Sequence, residues 1–234
     1  MTLPTSGKAL RQRRSKIVAV IASQADLRRA LRLRLPPDYF EIRLDCTAGS
    51  ANAVEESISD LPAPAIITAR HPREGGANNL TATQRRDLLM RFLPYAKIID
   101  VELRSVKGFQ SLLKAARGAS VECMISVHNF RTTPRERLLR QKAQAAKTLG
   151  ADIFKIAVRT DKQAQLARLL AFIASKNVGL PIAAMGIGEL GAISRVLLAQ
   201  LGSALIYTSI GRARIRGQLS LEQWRAAARV FRLR

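Results

Sequence analysis

The sequence predicts a single-domain α/β protein built as a (β/α)8 barrel, and three observations carry that expectation. Eight short apolar runs rich in β-formers recur along the chain. Amphipathic helical stretches separate most of them, and regular strand–helix alternation argues a parallel sheet. The length, 234 residues, is ordinary for such a barrel as one domain. A doubly wound sheet is the alternative, weakened because no Gly-x-Gly-x-x-Gly follows the first strand.

The elements follow in order. Residues 1–15 read as a basic tail, with Lys8, Arg11, Arg13 and Arg14, ahead of a barrel domain over 16–234. Strand one, 16–22, contains an apolar stretch too short for a secretion signal and without a cleavage pattern. A helix is expected over 25–35. Strand two, 39–44, alternates Glu41 and Arg43 with Ile42 and Leu44, and Asp45 continues the alternation. Glu41 and Arg43 therefore share a face, which in a barrel is the interior. Strand three, 65–70, ends Thr68-Ala69-Arg70 and leads into His71-Pro72-Arg73-Glu74-Gly75-Gly76. That glycine pair suits a loop whose backbone approaches a ligand. A helix over 82–93 follows. Strand four, 97–103, puts Asp100 and Glu102 on one face. Strand five, 122–127, leads into His128-Asn129-Phe130, and a helix is expected over 134–149. Strand six, 152–158, puts Ile153, Lys155 and Ala157 on one face, ahead of a helix over 162–175. Strand seven, 180–186, ends Met185-Gly186, and the helix over 191–201 carries Ser194-Arg195. Strand eight, 204–209, precedes a glycine-bounded basic loop, residues 211–218. The last helix, 221–231, opens on Ser220 with Gln223 three residues on, the pattern of a capping box.

Composition narrows the class. The chain is 47% hydrophobic, enough for a sizeable core, and only 5% aromatic, so that core is mostly Leu, Ile, Val and Ala. No apolar run approaches the roughly 20 residues that span a bilayer. Cys46 and Cys123 make no disulfide scaffold, which favours a reducing, cytoplasmic setting. His71 and His128 lack zinc-type spacing to them, so no metal site is expected. The net charge of +22 attracts anions and, non-specifically, nucleic acid. The arginines are dispersed and no nucleic-acid motif accompanies them. The preferred reading is a basic surface that also draws in an anionic substrate.

Lys155 is the most informative residue. A lysine on an exposed edge strand guards against aggregation. A buried ammonium without a partner instead tends to shed its proton, and a neutral amine attacks carbonyl carbons to form a Schiff base. His128, at the end of a strand, is well placed for proton transfer. Arg195, near a helix start, has the planar fork that binds carboxylates. A lysine amine, a histidine, a carboxylate and several arginines near strand ends are the equipment for imine chemistry on an anionic carbonyl compound.

On these segments the chain resembles the type I 3-dehydroquinate dehydratases, the Schiff-base dehydroquinases of the shikimate pathway. The matching stretches run from about Lys16 to Gln218. They are Glu41 to Asp45, Thr68 to Arg70 with Glu74-Gly75-Gly76, Asp100 to Glu102, Ser126 to Phe130, Phe154-Lys155, Met185-Gly186, Gly191 to Arg195, and Gly217-Gln218. The resemblance implies a (β/α)8 TIM barrel, a homodimer, no metal or organic cofactor, and dehydration of 3-dehydroquinate to 3-dehydroshikimate. It assigns imine formation to Lys155, proton transfer to His128 and orientation of that histidine to Glu74. It places Glu41, Arg43 and Arg70 at the ring hydroxyls, Arg195 and Gln218 around the carboxylate, and Met185 on the pocket wall. Two departures stand out. The family's closing loop commonly reads Ala-Ser-Ala-Pro-Gly-Gln, whereas here Arg214 replaces the serine and Arg216 the proline. Arg214 is then either a carboxylate ligand or an obstacle to closure. Asn129 stands where Asp is common.

Two other readings compete. A class I aldolase-type lyase also uses a barrel lysine, but the histidine and the Met185-Gly186 and Ser194-Arg195 segments argue against it, and no clear phosphate loop is present. A degenerate basic barrel that binds nucleic acid would use the high charge. Retention of the lysine, histidine and glutamate argues against it.

Overall fold

The computed structural model describes residues 14–175 and 178–233. Of the basic tail expected over 1–15, residues 1–13 lie outside the described residues. Eight parallel strands form the sheet: β1 (Lys16–Ile21), β2 (Tyr39–Arg43), β3 (Ala65–Thr68), β4 (Ala96–Glu102), β5 (Glu122–Asn129), β6 (Ile153–Arg159), β7 (Ile182–Ile187) and β8 (Leu205–Ser209). They are hydrogen-bonded in the order β7-β6-β5-β4-β3-β2-β1-β8, so the sheet curls until β8 approaches β7. No regular ladder joins those two among the described residues. The seam is bridged by Ala204 N–H to the Ile182 carbonyl (2.7 Å) and Ala184 N–H to Ser203 Oγ (3.0 Å).

Helices cover the outside: α1 (Gln24–Leu31), α2 (Leu44–Thr47), α3 (Ala51–Ile58), α4 (Ala82–Phe92), α5 (Gln110–Gly118), α6 (Glu136–Thr148), α7 (Gln163–Ala174), α8 (Gly191–Gln200) and α9 (Leu221–Val230). Most turn an apolar stripe inward, such as Leu112, Leu113 and Ala116 of α5 against the outward side chains of the strands. The expected capping box at α9 is present: Ser220 Oγ accepts from Gln223 N–H (3.1 Å) and Gln223 Oε1 from Ser220 N–H (2.9 Å).

The strands are buried on both faces, hence their near-continuous apolar sequences. One core lies between sheet and helices. A second fills the barrel, where Val18, Tyr39, Ile66, Ile98, Met124 and Ile153 meet. Along β2, β3, β4 and β5 the inward positions change from apolar at the N-terminal end to polar at the C-terminal end. Ile98 gives way to Asp100 and Glu102, and Met124 to Ser126 and His128. The chemistry-bearing residues therefore collect at one mouth, where barrel enzymes hold their sites.

Most boundaries shift by a residue or two from the sequence expectation, and three shifts stand out. Strand β3 stops at Thr68 because Arg70 N–H turns away to Asp45 Oδ1 (3.0 Å). Strand β5 continues through His128, which pairs with Ala157. Helix α1 ends at Leu31, four residues early. Pro36 disfavours helical dihedrals at Leu35.

Candidate active site

Lys155 lies on the inward face of β6 and is 3% exposed. Its Nζ donates to Glu41 Oε1 of β2 (2.8 Å) and Asp100 Oδ2 of β4 (2.9 Å). It also stands 3.8 Å from the centre of the Tyr207 ring. The expectation of an unpartnered buried amine is thus corrected. The burial penalty is met by two carboxylates and a ring face.

Those carboxylates are held in turn. Arg70, 2% exposed, donates to both oxygens of Asp100 (3.1 and 2.6 Å), to Glu102 Oε1 (3.0 Å) and to Ser126 Oγ (2.7 Å). Burial would raise the Asp100 pKa, but the charges of Arg70 and Lys155 outweigh it and hold the carboxyl well below its usual range. Glu102 also accepts from Arg85, which reaches in from α4 and donates to the Ala69 carbonyl (2.7 Å). Arg70 lines the cavity with its donors engaged by these acids, so its geometry is that of a positioning residue.

His128 faces the same space from β5. Its Nδ1 lies 3.0 Å from Glu74 Oε2, which also accepts the His128 backbone N–H (2.9 Å). Glu74 is delivered by a single helical turn, Pro72–Glu74, followed by Gly75 at φ 84°, a left-handed value suited to glycine. Burial, with the charges of Arg70 and Lys155, pushes the imidazole pKa well below its ordinary value. Burial, reinforced by Glu102, pushes the Glu74 carboxyl up to about 7. The imidazole is therefore neutral at neutral pH, as a base must be.

The rest of the mouth is basic. Arg43 is clamped by Asp45 through Nε (2.9 Å) and Nη2 (2.8 Å). Burial alone would lower its pKa, but Asp45 reverses that and keeps the guanidinium charged. Arg195, on α8, is 2% exposed. It donates only to carbonyls: Nε to Tyr207 (3.3 Å), and Nη1 to Gly186 (3.0 Å), Gly191 (2.8 Å) and Gly217 (2.5 Å). Nη2 has no hydrogen bond among the described residues, and no carboxylate neutralises this guanidinium. Burial lowers its pKa to about 10, so it stays cationic at neutral pH. The basic loop lies across the opening. Arg214 Nη2 donates to the Ala22 carbonyl (2.7 Å), Gly188 N–H donates to the Arg216 carbonyl (2.9 Å), and Arg216 pairs with Glu189 (2.6 Å). Arg214 thus ties the loop to the end of β1.

All ten candidate residues line one cavity that opens to solvent. These are Lys155, His128, Glu74, Glu41, Arg43, Arg70, Met185, Arg195, Arg214 and Gln218. The sequence reading missed Asp100 as the second partner of Lys155, Asp45 as the clamp on Arg43, and Arg85. Arg85 had a signal: it stands in helical register with Leu89 and Phe92, on an apolar stripe. Among the described residues no group of three His, Cys, Asp or Glu side chains is arranged to hold a metal ion.

The sequence model of the type I 3-dehydroquinase family matches residues 9–233. The chain belongs to the type I 3-dehydroquinase family. It is 32% identical to a 3-dehydroquinate dehydratase of Methanocella arvoryzae over 94% of this chain and 98% of that relative. A 3-dehydroquinate dehydratase of Methanothermobacter thermautotrophicus is 33% identical over 79% and 81%. Among solved structures, the 3-dehydroquinate dehydratase of Geobacillus kaustophilus HTA426 superposes with a TM-score of 0.84 at 25% identity, covering 93% of this chain and 91% of that one. The barrel, with its eight parallel strands, is thus that of the type I 3-dehydroquinases, and membership favours a hydro-lyase over the aldolase-type and nucleic-acid-binding readings.

Proposed function

We propose that this type I 3-dehydroquinase removes water from 3-dehydroquinate to give 3-dehydroshikimate, through an imine on Lys155 with His128 moving the proton. The observation that carries the reading is the convergence of Lys155, held by Glu41 and Asp100, with the His128–Glu74 pair in one cavity.

The steps balance. Lys155 passes a proton to His128 and attacks the ketone carbon; the adduct's hydroxyl takes that proton back and leaves as water, giving a protonated imine. The positive charge of that imine stays beside Glu41 and Asp100, which suit a cation before and after. His128 takes a proton from the adjacent carbon, and the electron pair moves into the imine to give an enamine. The enamine expels the β-hydroxyl, which leaves as water with the proton returned by His128. A second water hydrolyses the imine, freeing product and amine. Glu41 and Arg43 hold the ring-hydroxyl end, where Arg70 positions the acids, Arg195, Arg214 and Gln218 hold the carboxylate end, and Met185 forms the apolar wall.

Borohydride added with substrate should fix a covalent adduct at Lys155, and Lys155→Ala should abolish conjugated-enone formation followed by ultraviolet absorbance. A fully active Lys155→Ala protein would sink the mechanism. We further infer a homodimer, checked by light scattering, and a cytoplasmic setting, which the two free cysteines support and cell fractionation checks. No helix among the described residues is long and apolar enough to cross a membrane. The +22 charge supports a weak, salt-sensitive attraction to nucleic acid, read as retention on an RNA column that salt abolishes.

A further inference from the structure

Among the described residues, one buried side-chain oxygen or nitrogen lacks a hydrogen-bond partner: the Oγ of Ser209. Buried hydroxyls are nearly always bonded, and one without a partner lowers stability. Ser209 is the last residue of β8, 5% exposed, and lines the catalytic cavity. Its backbone is held, with its N–H donating to the Leu219 carbonyl (3.0 Å).

The surroundings say what it faces. Ser209 shares the inward face of β8 with Tyr207, whose ring covers the Lys155 amine. Its neighbours across the ladder are Val20 of β1, whose side chain offers no polar atom, and Ser220, whose hydroxyl accepts from Gln223 N–H. On one side stands Arg195, bonded to the Tyr207 carbonyl; above lies the loop with Arg214 and Gln218. That loop, residues 211–218, contains no hydroxyl side chain. Asp26, also on this wall, accepts from Ala22 N–H (3.2 Å) and the Ser23 hydroxyl (2.8 Å) instead. The acids that grip Lys155 and Arg70 come from β2 and β4. Ser209 therefore stands on the cavity wall at its cationic end, with its hydroxyl covered in the free protein, and rotation about χ1 is what turns it to an anion in the cavity.

We propose that Ser209 is a substrate-binding residue whose hydroxyl donates a hydrogen bond to the carboxylate of 3-dehydroquinate. This rests on the reading of the reaction above. The hydroxyl supplies a neutral donor beside Arg195, and its partner arrives only with the anion. The chain tolerates an unpaired group in the free enzyme because binding satisfies it.

Ser209→Ala should raise KM for 3-dehydroquinate about 10- to 100-fold, as loss of a hydrogen bond to a charged group does, while kcat changes less than about threefold. Ser209→Thr should restore most of the loss. The melting midpoint of Ser209→Ala should equal or exceed that of the unaltered protein, since the substitution removes an unpaired buried hydroxyl. The carboxamide analogue of 3-dehydroshikimate, whose carbonyl accepts only a neutral hydrogen bond, should lose less affinity on Ser209→Ala than 3-dehydroshikimate itself. The proposal is overturned by an unchanged KM, by a lowered melting midpoint with kcat and KM both impaired, or by equal losses for carboxylate and carboxamide. An unaltered protein that forms no enone would sink the reaction itself, a result distinguishable from an active protein indifferent to Ser209.

Discussion

Glu74 and His128 share one short contact, and burial moves their proton affinities in opposite senses. Ionised Glu74 accepts the Nδ1 proton and leaves the Nε2 lone pair for the substrate. Protonated Glu74 donates to Nδ1 and forces the proton onto Nε2, the wrong tautomer for a base. Because the Glu74 carboxyl titrates at about 7, kcat/KM should rise through about that pH to a plateau. Glu74→Gln should shift this limb to lower pH and reduce the plateau by about 10- to 100-fold. Stability runs the opposite way. The folded protein binds the Glu74 proton more tightly than the unfolded chain, so this group's contribution falls as pH rises from about 4.5 through about 7. Glu74→Gln should therefore gain up to about 3 kcal/mol relative to the unaltered protein above that window and little below it, read from urea midpoints. An acid limb that Glu74→Gln leaves in place would assign it to another group. Much at this scale was legible in sequence, because a lysine, a histidine and alternating charges interrupt apolar strands at recognisable places. What was not legible was pairing across the barrel. Nothing local to Asp100 says that it faces Lys155, 55 residues away.

Elements were legible where both faces are buried, as in β6, whose Ile153-Phe154-Lys155-Ile156 run has no exposed position. They were harder to read where helix signals are weak. Helices α2 and α3 are four and eight residues long, and neither has a capping side chain at its start. Helix α5 has its stripe but begins after Phe109, which offers no cap either. The end of β3 depended on Asp45, a tertiary partner outside any local pattern. The segment after β3 shows why that irregularity matters, since it must aim Arg70 and Glu74 into the same space. Gly76 packs so closely on it that a Cβ there would lie 2.1 Å from the Arg70 carbonyl oxygen. Gly76→Ala should force that backbone apart, lowering stability by about 1–3 kcal/mol and kcat by at least tenfold through displaced Glu74. Gly108→Ala, where a Cβ meets nothing within 4 Å, should alter neither. Equal behaviour of the two variants in melting and turnover would show that the segment carries no such constraint.

Across the whole molecule, charge is sorted by depth. Six acidic side chains but only four basic ones are buried among the described residues, so the positive excess of those residues lies toward solvent. The interior acids grip Lys155, Arg70 and Arg85; the exterior arginines meet water and the cavity mouth, where Arg212 and Arg214 stand beside the opening. An anionic substrate approaching this surface is attracted before it touches the site. The interaction is screened over about 10 Å at about 0.1 M salt. Once the anion is bound, its partners are buried and screened far less, so salt acts on the approach more than on the chemistry. Raising the salt from about 10 mM to about 150 mM should therefore lower kcat/KM several-fold and leave kcat nearly unchanged. A polyanion such as heparin should compete with substrate at the lower salt and lose that effect at the higher one, because both draw on the same field. If kcat/KM stays flat across that range, the exterior arginines do not steer substrate, and capture rests on Arg43, Arg195 and their buried neighbours alone.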